Sequence, residues 1–301
     1  MAILVTGAGG FLGRVVCGQL REENAAFAGT DRGCPDEAGE AWHPCDVTDR
    51  EAVVQLFQDR RIEAVIHLAG MLPSACRADP GAATRVNIAG SLNVLEAAAG
   101  AGARRFVFGS SVSVYGAGGD GKPLSEDAPA CPTDVYGAGK RYVEIYGETI
   151  ARRRGFSFAA LRIATVVGPG ARRTASPWRS EIFEKPASGG RQRITIPFPE
   201  DAVLSMVHVE DAARMLILLA GQDAGPREVY NTPAENWTAG EIKRVVEALD
   251  HRVTVELHPA SQRAAPPVAD GAAFAHDFGW RAPRLAGRLA EAVRRRACLL
   301  E

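Results

Sequence analysis

The residues whose types and spacing most directly point to chemistry are Tyr136 and Lys140, in Tyr136-Gly-Ala-Gly-Lys140. On a helix, positions i and i+4 share a face, so a lysine ammonium there lies beside the tyrosine phenol. A phenol with a pKa of about 10 is a weak base at neutral pH, and a neighbouring cation lowers that value toward the working range. Such a group suits removal of a proton from an alcohol that is losing a hydride. The same reaction needs a hydroxyl to orient the reacting oxygen. Ser111, in Ser110-Ser-Val-Ser113, supplies one at the end of a predicted strand.

These groups need a scaffold and a hydride acceptor, and the first thirteen residues supply the signal for both. Ala2 to Val5 is a short uncharged apolar run, read as a buried strand, and Phe11, Leu12, Val15, Val16 and Leu20 follow with helical spacing. Between them stand Gly7, Gly10 and Gly13, whose roles at a strand-to-helix turn are a tight bend, close backbone approach to a pyrophosphate, and helix-on-strand packing. The helix start presents free amides and a positive dipole to phosphate. Phe27 to Asp31 reads as a second strand ending in a carboxylate, 24 residues after Gly7. That is the spacing of an acid that grips an adenosine ribose. NAD is therefore the expected cofactor, in preference to its 2′-phosphorylated form.

Further along, His43 to Val47 is strand-like, Ala52 to Phe57 helical, and Ala64 to Gly70 a third buried strand. A long helix is predicted at about 82–99, a fourth strand at 104–109, a second long helix at 135–154 and a fifth strand at 158–163. The alternation implies parallel pairing. The fold expected is α/β, a doubly wound parallel sheet (Rossmann) with a small C-terminal substrate-binding lobe. The predicted division is 1–168 for dinucleotide binding, with a returning segment at about 203–232. Residues 169–202 and 233–301 form the lobe. Loops and prolines dominate to Pro199, and Val203 to Val209 reads as a strand returning to the core.

Composition limits the partners. The 301 residues carry a net charge of −1, with 24% charged residues well interspersed, so no basic field exists for nucleic acid or an anionic membrane. The expected partner is a small-molecule substrate. No apolar run approaches the ~18 residues of a membrane span, and the first strand leaves no room for a signal peptide, so a cytoplasmic location is expected. Six scattered cysteines form no CxxC or Cys/His cluster and read as reduced core thiols, with no metal site. His67, in an apolar strand, reads as a hydrogen-bonded core histidine, and Ser110 as structural.

The segments Thr6-Gly-Ala-Gly-Gly-Phe-Leu-Gly13, Asp46-Val47, His67-Leu-Ala-Gly70, Asn87, Ser110-Ser111, Val114-Tyr-Gly116, Tyr136 with Lys140, Gly168-Pro169 and His208-Val-Glu-Asp211 together resemble the extended short-chain dehydrogenase/reductases, also called the NAD-dependent epimerase/dehydratase family. The resemblance implies Ser111, Tyr136 and Lys140 as the catalytic triad. Phe11 and Leu12 would lie in the glycine turn, Asp46 and Val47 at the adenine, and Leu68, Ala69, Gly70 and Asn87 along the cofactor. Ser113 would face substrate. It also implies a homodimer through the two long helices, with the face Val143, Ile145, Tyr146, Thr149 and Ile150 at or behind the interface.

Nucleotide-sugar members of that family carry an asparagine before the Gly-Pro segment and an arginine shortly before the His-Val segment, both gripping a diphosphate. Here those positions hold Thr165 and Ala202-Val-Leu-Ser205. The segment His67 to Ser74 and the tail Phe278-Gly-Trp280 resemble members that oxidise small hydroxy acids, such as L-threonine and D-erythronate dehydrogenases. Ser74, Thr165, Arg172 and Arg173 are therefore candidate substrate contacts. The function expected is an NAD-dependent dehydrogenase of a small hydroxy acid or sugar acid. A nucleotide-sugar 4-epimerase with tightly bound NAD and a non-catalytic NAD(H)-sensing protein are the alternatives.

Overall fold

The computed structural model describes residues 2–33, 41–116, 122–171, 174–186, 188–258 and 265–298. The chain divides into two compact units. One comprises Met1–Gly116, Ala128–Ile163 and Glu210–Asn231, the other Ala117–Asp127, Ala164–Val209 and Thr232–Glu301.

In the first unit, the apolar run becomes β1 (Ile3–Thr6), buried throughout, and α1 (Phe11–Glu22) buries Gly13, Val16, Cys17 and Leu20. Next come β2 (Phe27–Thr30), α2 (Arg50–Gln58) and β3 (Ala64–His67). The Asp49 carboxylate caps α2, accepting from the Glu51 and Ala52 amides. Short helices α3 (Pro73–Ala78) and α4 (Pro80–Ala83) lead through a π turn, Thr84–Gly90, into α5 (Ser91–Gly100). Then follow β4 (Arg105–Ser111), a 3-10 turn (Val112–Tyr115), α6 (Val135–Arg154) and β5 (Ser157–Ile163). Asp134 caps α6 by accepting from the Gly137 amide, and Gly155, at φ +70°, ends it in the left-handed conformation that glycine tolerates best.

The remaining elements are β6 (Thr165–Val167), α7 (Trp178–Glu184), β7 (Gln192–Ile196), β8 (Val203–His208), α8 (Val209–Gly221) and β9 (Val229–Asn231). After them come β10 (Glu235–Thr238), α9 (Ala239–Leu249), β11 (Val253–Leu257), α10 (Ala272–Asp277) and α11 (Leu285–Cys298).

The first unit holds a six-stranded sheet of order β2-β1-β3-β4-β5-β9, parallel throughout. Strand order reverses between β1 and β3, which makes their C-terminal ends the crevice where such sheets take ligands. Leu4, Val65, Phe106, Phe108 and Ala160 of the sheet pack with Val53, Leu56 and Phe57 of α2, Val94, Leu95 and Ala98 of α5, and Val143 and Ile150 of α6. The second unit has a three-stranded sheet, β10-β8-β6, and a parallel pair, β11-β7. Its core gathers Trp178, Ile182, Phe183, Ile194, Leu204, Met206, Ile242 and Leu289.

Several expectations need correction. Residues 43–47 form no strand; the chain meets the β2 edge through an isolated bridge from Trp42 to Gly29 and through the His43 and Cys45 amides, which donate to the Gly29 and Asp31 carbonyls at 2.9 and 3.0 Å. The helix predicted over 82–99 is interrupted by the π turn, where Gly90 presses on Val47 so closely that an added Cβ would sit 2.7 Å from its Cγ2. Val203–His208 does not return to the central sheet but pairs with β6 and β10 in the second unit, so only Glu210–Asn231 of the predicted 203–232 segment belongs to the first. The supposedly irregular stretch before it contains α7 and β7. Among the described cysteines, Cys17, Cys45 and Cys76 are buried free thiols as expected, whereas Cys131 is exposed; Cys34 lies outside the described residues. Among the described residues no helix is long and apolar enough to cross a membrane, and no three metal-ligating side chains cluster.

Candidate active site

The crevice at β1 and β3 is built by glycine. Gly7 has φ +67°, and an added Cβ would meet the Ala69 amide nitrogen at 2.6 Å; one on Gly13 would meet the Gly7 carbonyl oxygen at 2.1 Å. The turn after β1 therefore lies flat on the end of β3 while α1 lies flat on the turn. Gly10, the N-cap, supplies no side chain, and an added Cβ there would meet only the Gly7 carbonyl, at 3.1 Å. Phe11 and Leu12 open α1, whose first amides no side chain caps. They are donors of the kind a pyrophosphate takes.

Asp31, just past β2, reaches this turn. Its Oδ2 accepts from the Gly9 amide at 3.2 Å and its Oδ1 from the Arg32 amide at 2.8 Å, so the carboxylate is fixed beside the glycines. Asp46 is held in a local turn, Oδ1 accepting from the Thr48 amide (2.9 Å) and hydroxyl (2.8 Å). The backbone bond from Thr48 holds its carboxyl below the usual carboxylate range. Val47 is buried, and its carbonyl accepts from Asn93.

At the end of β3, the Leu68 and Ala69 amides both donate to Thr6 Oγ1 at 3.2 Å. His67 is fully buried between Thr6 Oγ1 (2.7 Å from Nδ1) and Ser91 Oγ (2.9 Å from Nε2). Ser91 spends its own hydrogen on the Asn87 carbonyl, so it accepts from His67 Nε2–H. Burial, and then the charge of Lys140, push the His67 pKa down to about 3. It is a neutral, bonded core histidine. Asn87, inside the π turn, braces the Met71 amide and carbonyl at 2.6 and 3.0 Å, and an added Cβ on Gly70 would lie 3.2 Å from Asn87 Oδ1 and 4.0 Å from Lys140 Nζ.

Ser111, Tyr136 and Lys140 occupy the end of β4 and the first turns of α6. Lys140 is buried; its Nζ donates to the Gly109 carbonyl at 2.6 Å and stands 4.6 Å from the Phe108 ring centre and 5.7 Å from that of Tyr136. Burial lowers its pKa to about 8, with Cys76 and then Glu144 acting in the opposite direction. Ser111 Oγ accepts from the Ser113 amide at 3.2 Å and points its hydrogen to Ser113 Oγ, also at 3.2 Å. Gly137 lets α6 approach this turn: an added Cβ would stand 2.4 Å from the Ser113 carbonyl. The chemistry available is a phenol beside a buried amine, next to two hydroxyls whose hydrogens are free to reorient.

Ser74 is half-buried on α3 in the first unit, whereas Thr165 opens β6 in the second, paired with Met206. Arg172 and Arg173 lie outside the described residues. Sequence reasoning missed the places of Phe108, Cys76 and Trp42 at the site. Trp42 packs beside the turn, its ring 3.5 Å from an added Gly9 Cβ. The glycines inside Tyr136-Gly-Ala-Gly-Lys140 were a legible signal of close approach, since glycine inside a helix otherwise only costs stability.

A family model described as NAD dependent epimerase/dehydratase family matches residues 3–232. The chain is 28% identical over 252 residues to bovine mitochondrial L-threonine 3-dehydrogenase, covering 78% of this chain and 65% of that protein. It is 30% identical over 284 residues to UDP-glucose 4-epimerase of Streptomyces lividans, covering 87% and 83%. The crystal structure of UDP-glucose 4-epimerase from Thermotoga maritima, solved with UDP-glucose, superposes with a TM-score of 0.85 at 25% identity over the whole of both chains.

Proposed function

Because the chain belongs to the NAD dependent epimerase/dehydratase family, we propose that this NAD-dependent enzyme is a dehydrogenase acting on the secondary alcohol of a small hydroxy acid or sugar acid. The glycine turn, the uncapped start of α1 and the fixed carboxylate of Asp31 fit a dinucleotide with a free ribose 2′-hydroxyl. Gly7, Gly10, Phe11, Leu12 and Gly13 would hold its pyrophosphate, Asp31 its ribose, Asp46 and Val47 its adenine, and Leu68 to Gly70, Asn87, Tyr136 and Lys140 the remainder. Bound NAD supplies the two-electron acceptor for the carbinol carbon. Ser111 turns its hydrogen from Ser113 to the substrate oxygen, and Tyr136 takes the hydroxyl proton. The buried Lys140 ammonium favours the phenolate that does so.

The observation that carries the choice of substrate is charge. A nucleotide sugar brings two phosphates that need paired donors when they leave water. The corresponding positions here hold half-buried Thr165 and the buried Leu204 and Ser205, without a cation. A hydroxy acid brings one carboxylate, for which Ser74, Ser113, Arg172 and Arg173 are the candidates. The likeness to the Streptomyces epimerase supports a second reading, 4-epimerisation of a nucleotide sugar. A retained Ser111, Tyr136 and Lys140 set argues against a pure NAD(H) sensor, which needs no base. The expected oligomer is a homodimer through α5 and α6, where Tyr142 and Ile145 stand 49% and 50% exposed while Val143 and Ile150 fill the core. The decisive experiment incubates purified protein with NAD⁺ and L-threonine, other small hydroxy acids or UDP-glucose. Absorbance of reduced cofactor with a hydroxy acid, and no calorimetric binding of UDP-glucose, is expected. Micromolar UDP-glucose affinity together with conversion to UDP-galactose establishes the epimerase instead.

A further inference from the structure

One buried group behind the site belongs to no step above. Glu144 is 0% exposed, yet its carboxylate is fully engaged. Oε1 accepts from Ser110 Oγ at 2.6 Å and Arg162 Nε at 3.0 Å; Oε2 accepts from Arg162 Nη2 and Arg141 Nη1, both at 2.9 Å. Arg162, itself buried on β5, spends Nη1 on the Tyr115 hydroxyl at 2.9 Å and lies over the Tyr115 ring at 4.9 Å. The Tyr115 hydroxyl donates to Asn231 of β9 at 2.8 Å. Burial works against the Arg162 cation, but the hydrogen bonds and charge of Glu144, with Tyr115, carry its pKa above that of a free arginine.

The placement of this hub follows the reacting residues. Glu144 sits one and two turns after Lys140 and Tyr136 on the same face of α6. Ser110 is the neighbour of Ser111, and Tyr115 closes the turn that carries Ser113. A buried ion pair adds little net stability, because desolvation offsets its attraction; its best-attested use is fixing register. We infer that Glu144, clamped by Arg162 and Ser110, is a positioning residue that locks α6 against β4 and β5 so that Tyr136 and Lys140 stand at their working distance from Ser111. The inference rests on Tyr136 being the base. The groups facing Lys140 are the Gly109 carbonyl, the Phe108 ring, Cys76, the buried His67 of β3 and, along its own helix, Tyr136 and Glu144; those facing Glu144 are Ser110, Arg162, Arg141 and Lys140.

The test is a double substitution, Glu144→Gln with Arg162→Met, in the full chain. It removes one charge of each sign, so net charge is unchanged and no lone buried ion remains. Tyr136 ionisation is followed as near-ultraviolet phenolate absorbance against pH, each protein minus its Tyr136→Phe counterpart, alongside melting temperature and NADH fluorescence titration. In the parent protein Tyr136 should ionise below the ordinary tyrosine value. In the double variant the melting temperature should stay close to that of the parent and NADH should still bind, though more weakly because Lys140 also holds the cofactor, while Tyr136 ionisation rises by about one unit as Lys140 moves out of place. A folded, NADH-binding double variant with unchanged Tyr136 ionisation overturns the inference. An ordinary value in the parent overturns the assignment of Tyr136, and the inference with it. Ser110→Ala, which removes one donor from Glu144, decides the matter if the double variant fails to fold: a smaller rise is expected, and none overturns the inference.

Discussion

Lys140 Nζ and the main-chain oxygen of Gly109 are 2.6 Å apart, so the amine on α6 is anchored two residues before Ser111 on β4. The bond positions the amine but does not repay its burial. The Lys140 pKa falls from 10.5 to about 8. Between those values the unfolded chain binds a proton that the folded chain does not, so wild-type stability gains from Lys140 as pH rises through that window and loses it as pH falls. Lys140→Met should therefore melt higher than the parent at pH 7, with the difference shrinking as pH approaches 10.5. Melting curves across that range check it; a constant difference contradicts it.

Asp31 accepts from the Gly9 amide while holding a negative charge beside the turn. A 2′-phosphate there meets like charge, with Arg32 offsetting part of the repulsion, so NAD⁺ should bind more tightly than NADP⁺. Asp31→Asn keeps an acceptor and removes the charge. We expect it to narrow the preference at least tenfold, chiefly through tighter NADP⁺ binding in calorimetry. Unchanged discrimination assigns the preference to another residue.

Tyr136→Phe removes the proton acceptor alone. Turnover with whichever alcohol the screen identifies should fall by ~10²–10⁴-fold, the usual worth of a general base. NADH affinity and melting temperature should stay close to the parent. Retention of more than a few per cent of activity excludes Tyr136 as the base.

Two glycines on α1 should respond in opposite directions. An added Cβ on Gly13 would overlap the Gly7 carbonyl, whereas one on Gly18 would meet nothing within 4 Å. Gly18→Ala should stabilise by about 0.5–1 kcal/mol through helix propensity. Gly13→Ala should destabilise by about 1–3 kcal/mol or more and weaken NADH binding. Urea denaturation with and without NADH separates the two.

Short-range features are legible along the chain. Residues 1–31 announced strand, glycine turn, helix and second strand with its acid, because each rests on neighbours a few positions apart. Tyr136 and Lys140 were legible as a pair for the same reason, and the bounds of α6 matched its period and its Asp134 cap. Which distant segments meet is settled only in the folded chain. A short strand buried along almost its whole length reads identically in either sheet, so only folding assigned Val203–His208 to β6 and β10. The π turn at Thr84–Gly90 reflects Val47 crowding Gly90 and Asn87 reaching Met71, contacts absent from local periodicity. Nothing in their local sequence distinguishes Glu144 and Arg162 from solvated helix and strand charges; packing buries both. Local propensity and spacing are written along the chain, whereas burial and cross-strand contact are properties of the packed chain, fixed only when all its parts compete for one interior.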